Sequence, residues 1–229
     1  MSRTPTVGRI AFVGSGPGDP GLLTVRAREV LASAPLVVND PDVPEAVLGL
    51  VADGAEVRPA VGQPADVAGD LLAEARAGRP VVRLVAGDPL TVDAVVAEAR
   101  AVAAEGVAFD VVPGVPAGTA VPAYAGVPLG SAHVEADVRA GDWATLTAGA
   151  TTLVLHAAAA HLAEVAATLA AQGRPTDTPV AVTAHGTEST QKTVLSTIGS
   201  AASDAADLEG PLILTIGPSV AERGALSWW

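Results

Sequence analysis

With 229 residues, 49% of them hydrophobic, and no cysteine, the chain can bury one large or two modest cores, and it excludes disulfides, thiolate chemistry and cysteine-ligated metals. A net charge of −12 argues against a general nucleic-acid or anionic-membrane surface, and no uncharged apolar run reaches membrane-spanning length. The N-terminal MSRTPTVGR has no apolar stretch of signal-peptide type, so the expectation is a cytoplasmic protein.

Apolar, β-rich runs alternate with alanine-rich amphipathic ones. Strands are predicted over 8–14, 35–40, 55–60, 80–87 and 109–114. Between them, Thr24 can cap a helix reaching about Ser33. Asp66 can cap another, with Val67, Leu71, Leu72 and Ala75 on one face and Gly78 as its stop. Residues 91–105 form a further helical stretch. Near-continuous apolar strands alternating with helices imply a mostly parallel sheet covered on both faces.

Residues 114–150 break this rhythm with a stretch rich in glycine and proline, then a polar one. A domain boundary is therefore placed near Gly114, giving α/β domains over 1–114 and 115–229. Further strands are predicted over 151–157, 179–186, 192–198 and 211–217, with a helix over 158–172. Because KTVLSTI directly follows PVAVTAHG, the second sheet is expected to be mixed.

The loop VGSGPGDPGLLT (13–24) raises the question of a nucleotide site. Its Gly-x-Gly-x-x pattern meets Asp19 where a dinucleotide fingerprint has its third glycine, and an acid there would repel a pyrophosphate. Pro17, Gly18, Pro20 and Gly21 also delay the helix to about Thr24, away from the place where it would cradle phosphate. The loop suits a nucleotide-like ligand without phosphate. Gly-Asp-Pro recurs at 87–89, again after an apolar strand, and VPGVPAG (112–118) follows a third. Each could be only a tight turn. Three at one carboxyl edge favour a binding cleft. His156 and His161 are five apart and poor partners on one helical face, so no metal site is expected.

In this order, VGSGPGDPGLLT, LVVND, VVRLVAGDP, FDVVPG, AYAGVPL and PVAVTAHGT resemble the tetrapyrrole methylase family, and within it the uroporphyrinogen-III C-methyltransferases. The resemblance covers nearly the whole chain. VRLVAGDPLTVDAV, VPLGSAHVEADVR and the terminal LSWW look like the methylase half of actinobacterial fusions in which a uroporphyrinogen-III synthase domain follows. The family implies two α/β domains with S-adenosyl-L-methionine in a cleft between them, usually in a homodimer. Carried over by position, Pro17, Gly87, Asp88, Thr91 and Gly186 would line the cofactor. Ala86, Pro116, Ala117 and Ala157 occupy further lining positions with altered residue types. The implied reaction methylates uroporphyrinogen III at C-2 and C-7, yielding precorrin-2 and S-adenosyl-L-homocysteine. Asp40 falls where the family has an acid proposed as general base. On its own residues, Asp40 reads first as a strand-end acid that caps the next turn; the resemblance is what favours a functional role.

Several family positions are changed. The aromatic-Gly-Arg-Gly-Gly-Glu run after Gly-Asp-Pro is LTVDAVVAEA, and a usual His-Arg is Ser131-Ala132. Arg58, His133 and Arg139 are the nearby basic candidates for substrate contact. Two further readings therefore stand beside the enzyme: a non-catalytic domain supporting an attached synthase, and a methylase with another acceptor. Trp228 and Trp229 could pack back on the domain or form an exposed apolar patch.

Overall fold

The computed structural model describes residues 7–226 and 228, which divide into two compact units between Pro116 and Ala117. Among the described residues of the first unit, chain order runs β1 (Ile10–Gly14), α1 (Val25–Leu31), β2 (Leu36–Asn39), α2 (Glu45–Leu48), β3 (Glu56–Pro59), α3 (Pro64–Arg76), β4 (Val81–Val85), α4 (Asp93–Ala104) and β5 (Phe109–Val112). The strands pair in the order β3-β2-β4-β1-β5, every pair parallel.

Strand alternation sorts the core onto two faces. Ile10, Phe12, Leu36, Val38, Val81 and Val85 meet Val67, Leu71 and Leu72 of α3 and Val95 and Val102 of α4. Val13, Val37, Val82 and Leu84 face the other way, against Ala27 and Leu31 of α1 and Val47 of α2. The neighbouring strands β1 and β4 thus send their following helices to opposite faces. That arrangement is a topological switch point, where open α/β sheets form a crevice at the carboxyl edge.

The second unit contains α5 (Ala117–Tyr124), β6 (Val134–Asp137), α6 (Trp143–Leu146), β7 (Leu153–Ala158), α7 (Leu162–Ala171), β8 (Pro179–Ala184), β9 (Lys192–Thr197), α8 (Ala201–Asp204), β10 (Pro211–Ile216) and α9 (Arg223–Leu226). Its sheet order is β6-β7-β10-β8-β9. β6 and β7 are parallel and the remaining pairs antiparallel, so the sheet is mixed as expected. One face packs Leu153, Leu155, Leu212 and Leu214 against Leu162, Val165 and Leu169 of α7. On the other, Val154 and Ile213 meet Val121 of α5.

Three local expectations change. Asp66 does not cap α3: Gln63 is the N-cap, and Asp66 sits three residues in, its carboxylate accepting from the Gln63 amide at 2.9 Å. Pro64 explains the earlier start, because its fixed φ is already helical and its missing N–H is not needed in the first turn. The break over 114–150 holds elements after all, α5, β6 and α6. The helix predicted over 158–172 starts at Leu162, because β7 continues through Ala158 and a 3₁₀ turn follows at Ala159–His161.

Trp228 packs back within its unit. Its ring centroid lies 5.0 Å from that of Tyr124 and its indole N–H donates to the Ala123 carbonyl at 3.0 Å, yet it stays 62% exposed. Trp229 lies outside the described residues. Among the described residues no helix is long and apolar enough to cross a membrane.

Candidate functional site

The loops after β1, β4 and β5 leave the same edge of the parallel sheet, the first two tied by backbone and the third by the Asp88 side chain. Gly16 and Gly87 exchange hydrogen bonds, N–H to O at 3.2 Å and 2.9 Å, forming a small bridge across the switch point. The chains approach so closely that a Cβ on Gly14 would overlap the Gly87 carbonyl oxygen and lie 2.6 Å from the Gly114 nitrogen. Only glycine fits there. Gly87 has a φ of 72°, and the space beside its missing Cβ is open to 4 Å.

Asp88 staples the second loop to the third. One carboxylate oxygen accepts from the Leu90 amide at 2.9 Å and the other from the Gly114 amide at 3.0 Å. The Thr91 hydroxyl donates to the Asp88 carbonyl at 2.9 Å. In the first loop, Pro17 follows Gly16, the Asp19 carboxylate accepts from the Gly21 amide at 2.7 Å, and the Thr24 hydroxyl caps α1 at the Ala27 amide, 3.1 Å away. An acid therefore stands in the loop, and α1 starts well past the glycines with its first turn capped from within. The cradle presents main chain, with an acid in its first loop and the helix start displaced from the glycines, a setting that suits a nucleoside ligand better than one carrying phosphate.

Asp40 reaches this edge from the end of β2. Its amide donates to the Leu84 carbonyl at 3.0 Å. One carboxylate oxygen lies 2.5 Å from a terminal nitrogen of Arg83, and the other accepts from the Ala86 amide at 3.2 Å. Arg83, only 3% exposed, also forms a two-pronged pair with the equally buried Glu98 of α4, at 2.8 and 3.1 Å. Burial, the largest influence, works against the guanidinium charge. The Glu98 hydrogen bond and the two carboxylates outweigh it and hold Arg83 above the ordinary arginine value.

Sequence reasoning missed Arg83 and Glu98. The signal was present: an arginine inside the apolar run VVRLV, and a glutamate between Val95, Ala99 and Val102 on the buried face of α4.

Arg58 is placed elsewhere. It lies on the edge strand β3, its guanidinium paired with Glu74 at 2.9 Å and Glu56 at 3.5 Å. In the first unit, then, Gly87, Asp88 and Thr91 come together, Pro17 adjoins them, Asp40 is linked through Ala86, and Arg58 stands apart. Pro116 closes this unit.

In the second unit, Ala117 opens α5 and packs with Val121, Val154 and Ile213. Ala157 packs its side chain on the opposite, α7-side face of the sheet, so the two alanines are not brought together. Gly186 follows β8 between His185 and Thr187, whose φ values of 49° and 70° mark a strained turn. A Cβ on Gly186 would lie 2.5 Å from a Val121 methyl, so the turn presses against α5. His133 is exposed in the loop before β6. Arg139 forks onto Asp137 at 2.9 and 2.5 Å and, as the main cause, holds that carboxyl below the usual carboxylate range. His156 pairs with Glu135 at 2.6 Å.

The family model for tetrapyrrole (corrin/porphyrin) methylases matches residues 9–202. Siroheme synthase 1 of Klebsiella pneumoniae is 37% identical over 97% of this chain and 51% of its own length. The siroheme synthase of Tolumonas auensis is 36% identical with the same coverage. The chain thus spans about half the length of the curated relatives it matches. Among solved structures, the uroporphyrin-III C-methyltransferase from Thermus thermophilus is similar, with 30% identity, a TM-score of 0.85 and 97% of each chain covered. A uroporphyrin-III C-methyltransferase from Thermus thermophilus complexed with S-adenosyl homocysteine is similar at 29% identity and a TM-score of 0.80, with 93% of each chain covered.

Proposed function

The chain belongs to the tetrapyrrole methylase family, and from that premise we propose that it methylates uroporphyrinogen III at C-2 and C-7 to give precorrin-2, using S-adenosyl-L-methionine. The observation that carries this reading is the backbone-lined edge at the switch point, with a carboxylate anchored beside it. S-adenosyl-L-methionine has an adenosine, a sulfonium and an amino acid but no phosphate, and when bound it supplies an activated methyl group. The main chain at Pro17, Gly87, Asp88 and Thr91 holds it in this reading. Pro116, Ala117, Ala157 and Gly186 are further lining positions, Ala157 through its backbone because its side chain points into the core.

Transfer of that methyl to a pyrrole carbon would release the sulfur as S-adenosyl-L-homocysteine and leave the tetrapyrrole with a proton to shed. The protein's contribution is alignment of the reacting atoms and an acceptor for that proton. Asp40 is the acceptor in this reading, since its position is fixed through both carboxylate oxygens. His133 and Arg139 remain candidates for the substrate carboxylates, and the reading includes a homodimer and a fused uroporphyrinogen-III synthase domain as partners.

One observation favours the alternative, a domain that keeps the fold without catalysis. Arg58 is committed to Glu56 and Glu74, and at a net charge of −12 basic groups are scarce for a polycarboxylate substrate. Anaerobic incubation with S-adenosyl-L-methionine and uroporphyrinogen III separates the two. The expected product is a tetrapyrrole heavier by two methyl groups, read by mass spectrometry. Unchanged tetrapyrrole alongside intact S-adenosylhomocysteine binding would favour the non-catalytic domain or a methylase with another acceptor.

A further inference from the structure

We propose that Glu98 is a positioning residue for Asp40, acting through Arg83; this rests on the reading of Asp40 as proton acceptor. A glutamate on the buried face of α4 is costly unless paired, and well-packed apolar residues often stabilise a core as well as a buried ion pair does. Stability alone therefore gives little reason for a glutamate here.

The geometry gives a different one. Glu98 grips the guanidinium through Nε and Nη2, at 2.8 and 3.1 Å, which fixes the guanidinium plane. Nη1 donates to the Leu84 carbonyl at 3.0 Å. The guanidinium is then held from two sides, and Nη2 meets Asp40 at 2.5 Å. The second oxygen of Asp40 accepts from Ala86, the residue preceding Gly87 in the cofactor-edge loop. A chain of contacts thus runs from the interior of α4 to the carboxylate at the sheet edge. It points Asp40 in one direction relative to the loop. Without Glu98, Arg83 would still neutralise Asp40 but would be free to turn, and Asp40 with it.

A double-mutant cycle of Glu98→Gln and Asp40→Asn, with S-adenosyl-L-methionine and uroporphyrinogen III as substrates, tests this. Glu98→Gln is expected to lower kcat by about 10- to 100-fold, the scale of a small misplacement of a reacting group, with KM for S-adenosyl-L-methionine unchanged. In the Asp40→Asn background the same substitution should change kcat no further, because the group it orients is already gone. An equal loss in both backgrounds, or none in either, would overturn the proposal. Wild-type turnover in Asp40→Asn would instead reject Asp40 as acceptor. A crystal structure of Glu98→Gln decides independently of turnover: the Asp40 carboxylate should leave hydrogen-bond reach of Ala86, and an unmoved Asp40 overturns the proposal. Should Glu98→Gln fail to fold, Arg83→Lys keeps the charge without the fork, and the same outcomes apply.

Discussion

Asp40→Asn is expected to lower kcat by about 10²- to 10⁴-fold, the range a positioned proton acceptor contributes, while S-adenosylhomocysteine binds as tightly as before. Asparagine has nearly the shape of aspartate, and its side-chain oxygen can still accept from Ala86 or Arg83. Arg83 keeps its two-pronged partner Glu98, so the core is not left with an unpaired charge. What the substitution removes is a negative, proton-accepting oxygen at the edge of the loop. The comparison is made by initial rates under anaerobic conditions, with calorimetry on the same preparations to confirm cofactor affinity. Unaltered turnover would return Asp40 to the role of a strand-end anchor. A parallel loss of cofactor affinity would instead assign it to loop geometry.

Arg83→Met is expected to destabilise the fold by about 3–5 kcal/mol, the cost of breaking a buried ion pair from one side. Glu98 is as buried as Arg83, and Asp40 is 20% exposed, so removal of the guanidinium leaves two close carboxylates without their cation. Methionine fills much of the volume, so the loss is electrostatic rather than a cavity. Urea unfolding measures it. Addition of Glu98→Leu to Arg83→Met should recover a large part of the stability, because an apolar pair then replaces one stranded carboxylate. A loss below about 1 kcal/mol, the scale of an exposed pair, would mean that the cluster is solvated and does not hold Asp40.

Much of the fold is legible in the sequence because the central strands are buried on both faces and read as nearly continuous apolar runs. Residues 80–87 and 211–217 are of this kind, and β4 and β10 lie within them. The segment over 114–150 resists the same reading. α5 contains Pro122, which cannot donate a helix hydrogen bond, and β6 is only Val-Glu-Ala-Asp, with half its residues acidic. Both are held by tertiary packing, Val121 against Val154 and β6 alongside β7.

The carboxyl-edge loops were visible through the repeated Gly-Asp-Pro, since glycine and proline mark turn geometry directly. The partners of Asp40 were not. The arginine within VVRLV and the glutamate fifteen residues on each sit in an apolar pattern, but nothing in the sequence pairs them until the fold buries both on one face of the sheet. Ala157 shows the same limit in reverse: its place on a strand could be predicted, but the face it joins depends on the register of β7 with β10.

Calorimetric titration of S-adenosylhomocysteine into the wild-type chain and into Gly87→Asn tests whether the cofactor occupies the three-loop edge. Asparagine tolerates the φ of 72° better than other residues with a side chain, and the space beside Gly87 is open, so the variant should fold. Its side chain would project from the loop proposed to hold the ligand. Stoichiometric binding to the wild type is expected, weakened at least about tenfold in Gly87→Asn, equivalent to roughly 1.4 kcal/mol. Absence of binding to the wild type, or equal affinity in a folded Gly87→Asn, would contradict a cofactor site at this edge.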